Sequence, residues 1–400
     1  MKILVINCGS SSIKYQLFEI NKDYHILAKG LVERIGISGS VVQHSPAGKD
    51  KVIIEGEIKD HKQAMIAVEK ALTNPVYGVI KNIDEIDGVG HRVVHGGEKF
   101  QKSTLINEHV LKAIQENSIL APLHNPPNIT GIQVSQALLP NIPNVAVFDT
   151  AIHQTMPKRA YLYGLPIDLY KKHGIRKYGF HGTSHGYVAK QAAMLMNKPF
   201  DKVRIITCHI GNGGSIAAFE YGKVIDTSMG LTPLEGIVMG TRCGDIDPAV
   251  VLYLMETLGL SLQETNDLLN KKSGLLGLCG HSDMRDILAD LAVDDESAKV
   301  AVDVFAYRIM KYVGSYVAAM NGVDAIVFTA GIGEYNPWLR EKVISHFGYI
   351  GAEVDVQKNK AGEKIFSTDK SKVYAMMIPT NEELVIAQDT YEIINTKAGK

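Results

Sequence analysis

The sequence predicts an α/β protein built from a duplicated domain, and two observations carry that expectation. The first is a pattern that occurs twice: an apolar strand, a break rich in glycine, and an immediate return to strand. It opens the chain as "MKILVINCGSSSIKYQLFEI" and recurs as "VRIITCHIGNGGSIAAFEYGKVIDT". The second is a pair in the same order, "IDGVGHRVVHGGE" near residue 90 and "VDAIVFTAGIGE" near residue 330, each running from Asp through a strand and Gly-rich turns to Glu98 or Glu334. Matches that keep their order mark an internal repeat. Two α/β domains are expected, with strand ends and turns facing one another across a cleft.

The elements follow in order. After "NCGSSS" the chain alternates, with Ile13, Tyr15 and Leu17 on one face and Lys14, Gln16 and Phe18 on the other. This is a strand, whereas a Walker-type or dinucleotide loop leads into a helix. Small hydroxylated turns with free backbone N–H groups suit oxyanions, and Lys14 adds positive charge. Aligning Gly9 and Ser12 with Gly211 and Ser215 puts one extra residue in the second turn. In "DIDPAVVLYLMETLG", Asp247 is the expected N-cap, Pro248 the first helical residue, and Gly259 lies past the end. Ala301, Phe305, Ile309, Tyr312 and Tyr316 recur at helical spacing and form core or dimer surface, with Asn321-Gly322 as the stop. Thr380 and Glu383 have capping-box spacing and open a final helix that folds back on the first domain. A boundary is expected near "VFDTAIHQTMP", giving domains at 1–150, completed by 381–400, and at 151–380.

The chain has 400 residues, 46% hydrophobic and 21% charged, which is ordinary globular composition long enough for two domains. A net charge of -1 argues against nucleic-acid or membrane-surface partners, which need clustered Lys and Arg. No run approaches the roughly 18 apolar residues of a membrane span. Cys8, Cys208, Cys243 and Cys279 have no framework spacing, so a reduced, cytoplasmic chain is expected.

His91 and His95, and also His181 and His185, stand four apart and raise a zinc reading. On a strand that separation spans about 13 Å, too far for one metal. For the second pair, a helix would have to begin before His181, and "GFHGTSHG" places two glycines and a Thr/Ser cap there. Neither pair is read as a chelate. Strand alternation in "HRVVHGG" puts Arg92 and Val94 on one face, a charge clamp beside an apolar contact.

The strings "NCGSSSIK", "GHRVVHGG", "VFDTAIHQTMP", "YGFHGTSHGYV", "HIGNGGS", "MGTRCGDIDP", "TAGIGE" and "PTNEEL", in this order, span nearly the whole chain. Together they resemble the acetokinase family, the acetate kinases, within the superfamily of acetate and sugar kinases, heat-shock chaperones and actin. The resemblance implies duplicated ribonuclease H-like (actin-like ATPase) domains with a cleft between them. The first would carry carboxylate-side and phosphate-turn residues, the second nucleotide binding and the interface of a homodimer. The implied reaction is reversible phosphoryl transfer from ATP to acetate, giving acetyl phosphate and ADP, with Mg²⁺ required and Mn²⁺ as the alternative metal.

A kinase for a small carboxylate must bring an anion to an anionic γ-phosphate, so fixed cationic donors are needed. The family pattern supplies Arg92 and Arg242, with His181 stabilising charge on the phosphoryl group in flight and Asp149 as an essential carboxylate. A carboxylic acid of pKa near about 4.3 is already ionised at neutral pH, so the nucleophile needs no base. Asp149 is therefore expected to position Mg²⁺ through water or to orient an arginine. Asn7 and Glu382 match the metal positions. Lys14 and the turn His209, Ile210, Gly211, Asn212 and Gly213 match phosphate contacts. Asp283, Met284 and Arg285, with Gly331, Ile332, Gly333, Glu334 and Tyr335, match the adenosine side. The family most often has asparagine where Tyr335 stands, which bears on nucleotide selectivity. Val94, Leu123, Phe180 and Pro233 would hold the substrate methyl group. A propionate or butyrate kinase with the same machinery, or a nucleotide-driven chaperone-like protein, are the alternatives.

Overall fold

The computed structural model describes residues 1–122 and 124–398. The chain divides into two compact units, Met1–Ile152 together with the chain from Asn381 onward, and His153–Thr380.

In the first unit, β1 (Lys2–Cys8), β2 (Ser12–Ile20), β3 (Tyr24–Glu33), β4 (Ser40–Pro46), β5 (Val52–Gly56), β6 (Gly88–Val93), β7 (Thr104–Leu105) and β8 (Asn144–Phe148) form one sheet in the order β5-β4-β3-β2-β1-β6-β8-β7. The period of two along β1 decides what covers each face. Leu4 and Ile6 pack with Ile13, Tyr15 and Leu17 of β2 against Ala64, Met65, Val68 and Leu72 of helix α1 (His61–Leu72). Ile3 and Val5 pack with Phe18, Val145 and Val147 against Ile386 and Ala387 of the C-terminal helix, Glu382–Ala398. The expected faces of β2 are therefore those observed. Glycine makes the second packing possible: a Cβ on Gly90 would stand 2.4 Å from Thr390 Oγ1, so only glycine lets that helix lie on β6.

The second unit holds β9 (Arg204–Ile210), β10 (Gly214–Glu220), β11 (Lys223–Thr227), β12 (Ala325–Thr329) and β13 (Tyr374–Met377), in the order β11-β10-β9-β12-β13. β9 is antiparallel to β10 and parallel to β12, as β1 is to β2 and β6, and β12 runs parallel to β13 as β6 does to β8. The central order β3-β2-β1-β6-β8 thus occurs twice, which is a duplicated actin-like fold. Its helices include α2 (Gly182–Leu195), α3 (Pro248–Glu256), α4 (Met284–Ala292), α5 (Glu296–Ala319), α6 (Ala330–Tyr335) and α7 (Pro337–Ile344). Asp247 caps α3 by accepting from Ala249 N at 2.9 Å. In α5 the stripe Ala301, Phe305, Ile309 and Tyr316 is buried, and the helix stops before Asn321 and Gly322, both at positive φ.

Four local expectations are corrected. Cys8 pairs with Ile13 in the first hairpin and Ile210 with Gly214 in the second, so the second turn is one residue shorter, not longer. β6 ends at Val93, so Val94 and His95 lie beyond the strand and alternation does not place Val94 on the face of Arg92. Instead, Asn128 Oδ1 accepts from Val94 N at 3.1 Å and its amide donates to Cys8 O at 2.8 Å, tying the ends of β6 and β1 together. Helix α2 begins at Gly182 with His181 as N-cap, ahead of the Thr183-Ser184 pair expected to cap it. The C-terminal helix is capped by Asn381, which accepts from Leu384 N at 3.1 Å, while the Thr380 hydroxyl has no partner.

Candidate active site

In the first unit the site residues lie at the C-terminal ends of parallel strands, where ligands of open α/β sheets bind. Ile6 is in register with His91, and Arg92 with Val147, so Asn7, Arg92 and Asp149 emerge on the side covered by the C-terminal helix. Asp149 is 1% exposed, and Arg92 donates to both of its oxygens, Nε to Oδ1 at 3.0 Å and Nη2 to Oδ2 at 2.7 Å. This fork is the geometry that an arginine and a carboxylate favour. Glu382 Oε1 stands 4.0 Å from Arg92 Nη2. Burial works against the charge of Arg92, but the Asp149 and Glu382 carboxylates outweigh it and raise its pKa. Arg92 is thus a partner of Asp149, as one of the two roles expected for it requires. Lys14, opposite Asn7 in the hairpin register, is exposed and borders a hollow of about 310 Å³ with Lys29 and Lys51.

In the second unit His181 sits at φ 55, a left-handed conformation uncommon for a residue with a side chain. Its Nδ1 is hydrogen-bonded to Ser215 Oγ at 2.8 Å, and its ring stacks on His209 with centroids 4.2 Å apart. His209 Nδ1 is in turn hydrogen-bonded to Ser184 Oγ at 2.7 Å. Arg242 lies against the glycine turn, since a Cβ on Gly213 would be 3.5 Å from its Nη2. Its Nη1 donates to Pro233 O at 2.9 Å and contacts Met239 Sδ at 3.6 Å. Those partners are neutral, and burial lowers its pKa, with no offsetting carboxylate among the described residues. Arginine nonetheless remains protonated.

The segments that the resemblance assigns to the nucleotide converge on the same turn. Gly240 N donates to Asn212 O at 3.0 Å, and a Cβ on Gly240 would come within 3.2 Å of Ser282 O, beside the Asp283 that caps α4. Arg285 pairs with Asp283 at 2.5 Å on the surface, whereas Met284 is buried. Across the turn, a Cβ on Gly211 would be 3.7 Å from Ala330, which stands at φ 63 before Gly331. A Cβ on Gly331 would meet nothing within 4 Å, so the protein itself does not require glycine there. Glu334 Oε1 accepts from Ala330 N at 2.9 Å and Thr380 N at 3.3 Å. Ile210, Ile332 and Gly333 are buried, and Tyr335 is 81% exposed.

Of the methyl-contact set, Val94 is buried in the first unit, and Phe180 and Pro233 belong to the second. Leu123 lies outside the described residues. Among the described residues no group of three or more His, Cys, Asp and Glu could hold a metal ion. His185, read from the sequence only as half of a rejected zinc pair, bonds through Nδ1 to Thr207 Oγ1 and through Nε2 to Ser215 Oγ, both at 2.7 Å.

Three supporting residues escaped sequence reasoning. His153 donates from Nε2 to Phe180 O at 2.9 Å, just before His181, and burial holds its pKa down to about 4. Ser215 joins His181 to His185. Arg340 is fully buried and donates from Nη1 to the carbonyls of Gly333 and Glu334 at 2.8 and 2.7 Å. Burial lowers its pKa to about 10. The glycines before Ser215 hinted at a tight turn, but no local signal marks Arg340, whose partners lie in the preceding helix and near Asn359.

A duplicated actin-like fold with cationic and imidazole side chains at its strand ends and a glycine turn defines a phosphotransferase of the actin-like class. A family model described as the acetokinase family matches residues 2–388, and the chain belongs to that family. It is 55% identical over 399 residues to the acetate kinase of Carboxydothermus hydrogenoformans, covering 99% of this chain and 100% of that one. Among solved structures it is similar to the Porphyromonas gingivalis acetate kinase, with a TM-score of 0.93 and 47% identity over 98% of this chain and 99% of that one. It is also similar to a propionate kinase from Francisella tularensis, with a TM-score of 0.92 and 45% identity, covering 98% of this chain and 99% of that one.

Proposed function

We propose that this acetokinase-family enzyme catalyses reversible transfer of the γ-phosphoryl group of ATP to acetate, giving acetyl phosphate and ADP. The observation that carries the reading is Arg242, a half-buried guanidinium beside a glycine turn whose partners among the described residues are a carbonyl and a thioether. A desolvated cation without a counter-charge is matched by an anion from outside, and a phosphoryl group meets that need.

The acetate carboxylate attacks γ-phosphorus in line, forming the new O–P bond as the bond to the ADP oxygen breaks. Arg92 holds the carboxylate, Arg242 the phosphoryl group, and His181 donates to its equatorial oxygens. Asp149 fixes Arg92 through the forked pair and is not a base, because acetate arrives ionised. The turn His209–Gly213 and the backbone near Gly331 approach the nucleotide, with Lys14, Asp283 and Arg285 contributing at its ends. One carboxylate and one amide, Glu382 and Asn7, suit Mg²⁺, which is usually held by few protein oxygens, water and substrate phosphates. When bound, the ion would neutralise charge on the phosphates.

By the family resemblance, an apolar wall holds the methyl group. Such a wall separates substrates differing by one methylene by only about 1–3 kcal/mol, so propionate is a poorer but real substrate. Exposed Ile246, Val250, Leu252, Tyr253, Leu258 and Leu262, on and beside α3, support a homodimer through the second unit. Free cysteines throughout support a reducing, cytoplasmic setting. Hydroxylamine trapping with Mg²⁺, ATP and formate, acetate, propionate or butyrate tests the reading. Hydroxamate should peak with acetate; none with any acid, while ATP still binds, would remove the kinase assignment.

A further inference from the structure

A neutral His181 can donate from Nε2 to a phosphoryl oxygen only if its own Nδ1 accepts, and an isolated imidazole does not hold one tautomer. The second unit contains a chain that settles the choice. Thr207 Oγ1 meets His185 Nδ1 at 2.7 Å, His185 Nε2 meets Ser215 Oγ at 2.7 Å, and Ser215 Oγ meets His181 Nδ1 at 2.8 Å. A neutral imidazole has one donor and one acceptor, and Ser215 could accept from both rings only by leaving its own buried proton unpaired, so the bonds of the chain run in one sense.

Two senses are available. In one, His181 donates from Nδ1 to Ser215, Ser215 to His185, and His185 to Thr207, whose proton is left with Ala217 O at 3.5 Å. That last contact is at the outer limit for a hydrogen bond. In the other, Thr207 donates to His185 Nδ1, His185 Nε2–H to Ser215, and Ser215 to His181 Nδ1. The donors of Thr207, His185 and Ser215 then all have partners at 2.7–2.8 Å, and His181 Nε2–H, on a residue that is not fully buried, is the one proton directed out of the chain. Thr207, His185 and Ser215 are fully buried, so the sense that wastes a proton is disfavoured.

We infer that Thr207, His185 and Ser215 are positioning residues, a directed chain that fixes His181 in the tautomer protonated on Nε2. Burial and the neighbouring His153 and His209 push the pKa of His185 well below its ordinary value, which keeps it neutral as the chain requires. His153 holds the loop from the other side through Phe180 O. His181 is thus fixed in place by its backbone and in tautomer by the chain. The inference rests on the proposed role of His181 in phosphoryl transfer.

The direct test is ¹⁵N NMR of the imidazoles in the full-length protein. The His181 Nε2–H tautomer is expected in the parent, and a mixed population in Ser215→Ala; Nδ1–H in the parent would overturn the inference without any variant. In kinetics, Thr207→Val should lower kcat about tenfold, the scale of one hydrogen bond, with both KM values unchanged within about twofold. Thr207→Ser should restore the rate. Thr207→Val placed in Ser215→Ala should cost less than about twofold more, because both act through one chain. A parental kcat for Thr207→Val, or independent losses in the double variant, would contradict the chain. His181→Ala with undiminished kcat would instead remove the catalytic role of His181, leaving the tautomer result standing.

Discussion

Arg92 in the first unit and Arg242 in the second differ in what surrounds their charge. Arg92 is forked onto the buried Asp149 carboxylate with Glu382 4.0 Å away, and these charges raise its pKa. Arg242 rests on a carbonyl and a sulfur, and burial lowers its pKa. One cation is neutralised by the fold; the other, in the proposed mechanism, meets the phosphoryl group. The neutral side of the site extends to the imidazoles, where hydrogen bonds rather than charges set orientation. The difference teaches that a group holding a substrate already charged can be fixed by a permanent ion pair. A group that must answer charge spreading over a transferring phosphoryl acts more strongly if nothing in the protein has answered it first.

The largest expected effect separates the two arginines in activity. Arg242→Ala should lower kcat by about 10³, the scale of removing a preorganised donor from a transition state. Its Tm should stay within a few degrees of the parent, because the substitution removes a desolvated charge and breaks no ion pair. Near-parental turnover would take Arg242 out of the transition state. The second effect separates them in stability. Arg92→Ala leaves Asp149 buried and unpaired, which should cost about 3–5 kcal/mol in urea unfolding as well as activity. An unchanged unfolding midpoint would mean that the pair does not hold the strand ends together.

The duplication was legible because a strand, a glycine turn and a returning strand leave a local pattern, and both sheets carry it in the same order. Capping by Asp247 and the end of α5 were legible for the same reason, since caps are chosen by residues a few positions away. The errors fall where local signals compete. Thr183 and Ser184 look like a cap, yet His181 takes the left-handed turn and the helix starts at Gly182. Thr380 looks like a capping-box residue, but its neighbour Asn381 takes the task, and Thr380 N is drawn to Glu334. The partnership of Arg92 with Asp149 spans 57 positions and that of Ser215 with His181 spans 34, distances at which a pattern of residue types says nothing. Motifs named the candidate residues; only the fold shows which of them hold one another.

The central claim is that the carboxylate of the substrate is itself the nucleophile, with Asp149 committed to Arg92 rather than to the phosphoryl group. The most direct measurement is the stereochemical course at phosphorus, using ATP made chiral at the γ-phosphoryl with oxygen isotopes. A single in-line transfer predicts inversion of configuration in acetyl phosphate. Retention would require two displacements through a phosphorylated side chain, and would contradict the account.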